Sequence, residues 1–288
     1  MTAPQKTDLT ELNSYCINSS AERTYSPTNL RELKSAVAHS EGTNRIILGG
    51  GSNIILSKSN YYCDTSFLLM QRMHKKISWE GTLCTASNSV RLQTLVQESI
   101  DRNLAGLERL IGIPGTVGGA IYMNAGAFDC DIHQALVEVT TFNVESFLVT
   151  TYNKDELRSS YRASIFQESR EIIIQAKFKF IRGAPNQAVA LSAKTILNKR
   201  NMTMPYILPN AGSVFKRPSH ELRVGEMIDA LGMKGFRIGG AMISELHGGF
   251  IVNICQATGG DVIALTQHIQ GAVFREYNTT LNLEQIII

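Results

Sequence analysis

Between Gly106 and Phe128 six glycines (Gly106, Gly112, Gly115, Gly118, Gly119, Gly126) stand among Pro114, Thr116 and Asn124, and no apolar period of helix or strand runs through them. Backbone without Cβ can take positive φ and bring its N–H groups up to a bound group. Successive N–H groups in such loops form concavities that hold anions, phosphate above all. A second loop upstream, Gly49-Gly50-Gly51-Ser52-Asn53, is entered from Ile46-Ile47-Leu48 and left through Ile54-Ile55-Leu56. One such loop is also what a plain turn between strands looks like. Two in one chain point to a large phosphate-bearing ligand held from two sides.

Three further side chains have types suited to chemistry, each with a plainer alternative. Arg162, in Tyr161-Arg162-Ala163-Ser164, carries a planar fork matching a carboxylate and stays charged at any working pH; a surface or salt-bridged arginine looks the same in sequence. Ser213 follows Asn210-Ala211-Gly212, whose small residues let a ligand approach the hydroxyl, although serine after glycine is also an ordinary turn or cap residue. The G-x-S-x-G elbow of a hydrolase nucleophile is missing around it. Glu284 near the C-terminus is equally an outward-facing strand carboxylate. His247 stands beside Gly248 and Gly249 and reads as a turn residue rather than a catalytic one.

Five cysteines, an odd number and widely scattered, show neither C-x-x-C nor a Cys/His pair at ligand spacing, so free thiols in a reducing compartment and no metal site are expected. The 28 basic and 25 acidic residues leave a net charge of +3 without a basic stripe, which argues against nucleic acid. The N-terminus is polar, with no signal-peptide core, and no run reaches the roughly 18 apolar residues of a membrane span. A cytoplasmic protein without membrane contact is expected. With 288 residues and a 43% hydrophobic share, the chain is long enough for about two domains.

The elements that must position these residues follow from periodicity. Residues before about Leu12 read as a loose terminus. Ser26-Pro27 reads as a helix start, with Leu30, Leu33, Ala36 and Val37 at helical spacing, leading into a strand at Arg45–Leu48. The unit is not a Rossmann fold, because its glycines are contiguous and Ile54-Ile55-Leu56 reads as another strand rather than a helix. Strands are expected from Phe67 to Cys84, then a helix with Leu92, Leu95, Val96, Ser99 and Ile100 on one face. Further strands are expected at 135–143, 147–151 and 171–181, the last alternating Ile174, Ala176, Phe178, Phe180 with Gln175, Lys177, Lys179 as a half-wet sheet requires. Gly183-Ala184-Pro185-Asn186 reads as a boundary. Beyond it come helices at about 187–200 and 223–231, a strand at 249–253, a long helix from Gly260-Asp261 and a last strand at 280–288.

The chain resembles the UDP-N-acetylenolpyruvoylglucosamine reductase family, the flavoenzymes also called UDP-N-acetylmuramate dehydrogenases. The resemblance is carried by Gly49–Asn53, Gly112-Ile113-Pro114-Gly115-Thr116-Val117-Gly118-Gly119 with Asn124–Ala127, and Tyr161–Phe166. It continues through Ala211–Pro218, Met227–Gly235 and His247–Asn253, in order from about Leu12 onward. It implies an α+β architecture: an FAD-binding fold of the vanillyl-alcohol-oxidase/PCMH type in two subdomains, 1–66 and 67–183, plus a C-terminal α/β substrate-binding domain, 184–288. FAD is the implied cofactor, NADPH the co-substrate and UDP-N-acetylglucosamine enolpyruvate the substrate, in peptidoglycan precursor synthesis. A monomer is expected, with neither nucleic acid nor membrane as partner.

Residue by residue, the resemblance assigns FAD to Gly49, Gly50, Gly51, Ser52, Asn53, Pro114, Gly115, Thr116, Gly118, Gly119, Asn124 and Gly126. Arg162 takes the substrate carboxylate, Ser213 the proton donation after hydride transfer from the flavin, and Glu284 the stabilisation of the enolate-like intermediate. Tyr161, Lys216 and Arg217 contact anionic parts of the ligands. The short segment between Arg162 and Gly183 resembles the family type lacking an extra substrate-covering loop. The chain departs from the usual pattern at Asn13-Ser14, Asn18-Ser19-Ser20, Ala86-Ser87-Asn88 and Asp129-Cys130, the last placing a carboxylate near the expected flavin. A diverged flavoprotein acting on another anionic substrate, or a flavin-free binding protein, are the alternatives.

Overall fold

The computed structural model describes residues 3–184, 188–219 and 222–288. Pro185 and Asn186 of the expected boundary, and Gln187 of the helix expected after it, lie outside the described residues. The chain divides into two compact units built from interleaved segments, one from Met1–Pro4, Thr24–Gly50 and Ser66–Arg200, the other from Gln5–Arg23, Gly51–Thr65 and Asn201–Ile288.

The first unit is organised on an antiparallel five-stranded sheet in the order Val149–Asn153, Leu136–Asn143, Glu171–Lys179, Leu83–Ser87, Ile77–Glu80. In its central strand the expected alternation holds: Ala176, Phe178 and the following Phe180 are buried, while Gln175 and Lys179 are exposed. The pattern fails at Ile174, where the register against Thr140 and Thr141 shifts and the side chain packs half-buried against the other core; Ile172 and Ile173 are both buried because each face of the sheet carries its own core there. Helix α1, Leu30–His39, and helix α2, Leu92–Asp101, bury the stripes the spacing predicted, Leu33, Ala36 and Val37 on one and Leu92, Leu95, Val96, Ser99 and Ile100 on the other. Burying each large aliphatic of these stripes contributes about 1.5–3 kcal/mol. The start of α1 differs from expectation. Asn29, not Ser26, caps it, accepting from the Glu32 amide at 3.0 Å while the Glu32 carboxylate takes the Thr28 amide at 2.8 Å. A short helix α3, Val117–Tyr122, is capped by Thr116.

The second unit carries a three-stranded antiparallel sheet, Arg237–Ile238, Ala241–Ile243, Ile251–Asn253, and a parallel pair of Ile286–Ile287 with Ile54–Ile55. Helix α4, Gly259–Tyr277, starts in a capping box in which Thr258 and Asp261 satisfy each other's backbone amides. The Thr258 amide above all, with the Thr258 hydroxyl and the Gly240 amide, holds the Asp261 carboxyl below its usual range. The N-terminus is not loose: Gln5–Asp8 is a strand, and the fully buried Leu9 donates its amide to the Ser19 carbonyl at 2.8 Å. Polar strand faces such as Gln5–Asp8 give no apolar signal, so only pairing reveals them.

Candidate functional site

Gly49 and Gly50 of the first loop meet the second loop inside the first unit, whereas Gly51, Ser52 and Asn53 belong to the second unit. A Cβ added at Gly50 would come 2.8 Å from Gly115 Cα, and one at Gly49 would sit 3.0 Å from Thr116 Oγ1. Glycine at position 50 is therefore required by backbone touching backbone. The amides that open α3 are used within the protein: Val117 donates to the Val90 carbonyl at 2.8 Å, Gly118 to the Asn88 carbonyl at 2.9 Å, and Gly119 to Thr116 Oγ1 at 3.4 Å. This start of a helix is not an open anion nest. Gly119 is different, because a Cβ there would meet nothing closer than Thr116 Oγ1 at 3.6 Å. No neighbour explains its missing side chain, and it leaves a shallow space beside Gly49 and Thr116 that fits a group laid flat on backbone, as a dinucleotide cofactor would be.

Asn124 and Gly126 do other work than touch a ligand through their amides. Asn124, 3% exposed with positive φ, donates from Nδ2 to the Ser160 carbonyl at 2.8 Å, and its buried Oδ1 has no protein partner. Gly126 lends its carbonyl to Arg162 Nη2. Arg162 sits at φ +55° in a tight turn closed by two 3.1 Å bonds between Ser160 and Ala163. A non-glycine residue in the left-handed region costs about 1–3 kcal/mol and survives only where its surroundings hold it. Here Gln167 Nε2 binds the Arg162 and Tyr122 carbonyls at 3.1 and 3.0 Å, and Ser164 Oγ binds the Tyr122 carbonyl at 2.8 Å. The guanidinium lies 5.0 Å from the centre of the half-exposed Tyr161 ring. The turn thus presents a braced cation on the second glycine loop.

Ser213 and Glu284 come together in the second unit. Ser213 bridges Phe250, Val214 donates to the Gly249 carbonyl at 3.0 Å, and on the other side the Glu284 amide donates to the Val214 carbonyl at 2.9 Å. Lys216 continues that pairing through the Asn282 carbonyl at 2.8 Å. Both Ser213 and Glu284 are half-buried, Lys216 likewise, and Arg217 is exposed. Gly212, at φ +80°, has no atom of the described residues within 4 Å of an added Cβ, so open space lies beside the residue before Ser213. Asn53 is tied to the same segment: its Nδ2 donates to the Glu284 carbonyl and its own carbonyl accepts from Ile286, both at 3.0 Å.

His247 is engaged in its turn, Nδ1 accepting from the Gly249 amide at 3.0 Å, and burial pushes its pKa down. Of the departures, Ser87 Oγ pins the Lys76 backbone at 3.2 Å and Asn88 Nδ2 binds the Ile173 carbonyl at 2.9 Å, so both serve the framework under α3. Asp129 is exposed and, with Phe128, forms a two-residue hairpin turn with both φ positive. Sequence reasoning missed Gln285, Tyr15 and Gln167. Gln285 is 3% exposed and bonds Tyr15 Oη through Oε1 at 3.0 Å and the Ala211 and Gly212 carbonyls through Nε2 at 3.1 Å each. The one sequence signal was a glutamine directly ahead of the apolar Ile286-Ile287-Ile288.

Residues 21–150 match the family described as FAD binding domain, and residues 204–288 match the C-terminal domain of UDP-N-acetylenolpyruvoylglucosamine reductase. A reductase of that name from Francisella tularensis subsp. tularensis is 36% identical over 97% of this chain and 98% of its own length. One from Synechocystis sp. is 34% identical over 97% of this chain and 88% of its own. The crystal structure of UDP-N-acetylenolpyruvylglucosamine reductase from Thermus caldophilus superposes with a TM-score of 0.82 at 27% identity, covering all of this chain and 99% of that one.

Proposed function

We propose the reaction of this chain from one premise: it belongs to the UDP-N-acetylenolpyruvoylglucosamine reductase family. It is an FAD-dependent oxidoreductase that uses NADPH to reduce UDP-N-acetylglucosamine enolpyruvate to UDP-N-acetylmuramate, a step of peptidoglycan precursor synthesis. It acts in the cytoplasm as a monomer, and among the described residues no helix is long and apolar enough to cross a membrane. The functional division is FAD binding in 1–66 and 67–183 and substrate binding in 184–288, in keeping with family matches that end at 150 and begin at 204.

FAD, when bound, supplies the hydride, taken from NADPH and passed to the terminal vinyl carbon of the substrate. The residues assigned to hold it are Gly49, Gly50, Gly51, Ser52 and Asn53 of the first loop and Pro114, Gly115, Thr116, Gly118, Gly119, Asn124 and Gly126 of the second. Arg162 pairs its fork with the substrate carboxylate, where charge accumulates as the vinyl carbon accepts hydride. A preorganised cation at developing charge lowers the barrier by a few kcal/mol, about 2.7–4 kcal/mol for a single oxyanion-hole donor. Glu284 orders that charge with it, and Ser213 donates its hydroxyl proton to the carbon next to the carboxylate. Tyr161, Lys216 and Arg217 contact anionic parts of NADPH and the UDP-sugar.

The observation that carries this reading is the pairing of the Ser213 segment with the Glu284 segment. It sets a hydroxyl and a carboxylate from distant parts of the chain on neighbouring backbones beside an open glycine. The test is a titration of the purified protein followed by visible absorption. A flavin band that bleaches with NADPH and returns anaerobically on adding the enolpyruvyl sugar is expected. Ser213→Ala keeps the bleaching and slows the return about 100-fold or more, the usual cost of losing a general acid. A colourless protein that takes up no added FAD would overturn the assignment.

A further inference from the structure

Gln285 immediately follows Glu284 in the bend that leads into the Ile286–Ile287 strand, and the two differ in burial, Glu284 being half-buried and Gln285 3% exposed. Its own side chain runs inward, where all of its partners lie in the same unit. Nε2 donates to the carbonyls of Ala211 and Gly212, the two peptides that precede Ser213, and Oε1 accepts from Tyr15 Oη. Tyr15 is fully buried, and burial pushes its phenol pKa up, so it remains a donor at any working pH. Downstream, the turn that Gln285 grips is held by the bridge of Ser213 with Phe250 and by the Val214 amide on the Gly249 carbonyl; upstream it has fewer ties. Gly212 takes a positive φ, has no neighbour within 4 Å of an added Cβ, and is otherwise tied by its amide to Asn210 Oδ1 at 3.1 Å. Rotation of the Gly212 peptide would redirect the Ser213 hydroxyl at once. The backbone pairing of Val214 with Glu284 sets the distance between the two segments, but it acts downstream of that peptide.

We propose that Gln285, oriented by the Tyr15 hydroxyl, is a positioning residue that locks the peptide ahead of Ser213 and so fixes the proton-donating hydroxyl relative to Glu284. This rests on the proton-donor role of Ser213 given above. Gln285 commits its amide to one tyrosine and two carbonyls, which ties the residue after the carboxylate to the residues before the hydroxyl.

The test compares Gln285→Met, which keeps length and shape but no hydrogen bond, with Tyr15→Phe and the double variant, each as flavin-loaded protein in stopped flow. Bleaching by NADPH should stay within about twofold of the parent, because misplacement of a catalytic group affects only the step that uses it. Reoxidation at saturating enolpyruvyl sugar should fall about 10- to 100-fold in Gln285→Met and less in Tyr15→Phe, the cost expected for a misplacement near 1 Å. The solvent deuterium isotope effect on that phase should rise. The double variant should be no slower than Gln285→Met, since the two side chains act as one unit. A crystal structure of either variant should show residues 211–213 displaced, a readout independent of turnover and usable on whichever variant folds.

Parental reoxidation in Gln285→Met beside a slow Ser213→Ala would overturn the positioning role alone, as would an unmoved 211–213 turn or an equal loss in both phases. Parental reoxidation in Ser213→Ala would overturn the reading beneath it as well.

Discussion

His247 ties stability to pH at a single residue. Its ring is desolvated and its Nδ1 accepts the Gly249 amide, so the native state favours the neutral imidazole and its pKa falls below the ordinary value near 6.5. Above about pH 6.5 neither folded nor unfolded chain protonates this ring, and the native state keeps its full stability. As pH falls through that value, the unfolded chain binds a proton that the native ring refuses, and stability drops until the lowered folded pKa is reached. His247→Gln should therefore lose less of its urea midpoint between pH 7.5 and pH 5.5 than the parent does. An equal loss in both would place the acid sensitivity elsewhere. His247 was legible in the sequence as a turn residue because two glycines follow it directly. Gln285 was not, because its three partners lie at Tyr15, Ala211 and Gly212, and nothing local marks a glutamine as their common anchor.

At the scale of elements, the two glycine loops separate into positions that packing demands and positions that packing leaves open. Gly50 must lack a side chain because Gly115 lies against it, whereas Gly119, inside α3, has room for one. Alanine is favoured over glycine within a helix by roughly 0.5–1 kcal/mol. Gly119→Ala should hold or slightly raise the thermal midpoint of the flavin-free protein while weakening FAD binding about tenfold or more, since the new methyl enters the space assigned to the cofactor. Unchanged FAD affinity, measured by fluorescence quenching, would remove Gly119 from the site. Helices α1, α2 and α4 and the central strand were legible because their apolar periods are local, whereas α3, inside the second glycine loop, was read as neither helix nor strand. The start of α1 was misplaced by three residues because Ser26-Pro27 and Asn29 both look like starts, and only the bond of the Glu32 amide to Asn29, with the Thr28 amide and hydroxyl on the Glu32 carboxylate, chooses between them.

For the whole molecule, a ligand that binds only the folded chain stabilises it by mass action, by about 2.7 kcal/mol at a concentration one hundred times its dissociation constant. FAD should raise the thermal midpoint of the stripped protein, and the rise should shrink in Gly119→Ala at equal FAD. A midpoint indifferent to FAD would contradict the cofactor assignment. The sequence by itself determined the loops, the periodic elements and the identity of Arg162, Ser213 and Glu284 as candidates, because residue type and short spacing carry that information. It also supported the family resemblance, which the relatives bear out over nearly the full chain. Only the tertiary structure decided that the N-terminal segment is ordered, with Gln5–Asp8 paired as a strand. The same holds for the interleaving of each unit from three segments, for Arg162 braced on the Gly126 carbonyl, and for Gln285 beneath Ser213. The physical reason is common to all of these. Hydrogen bonds and backbone contacts between residues far apart in the chain depend on how the chain closes on itself, and no local pattern encodes that closure.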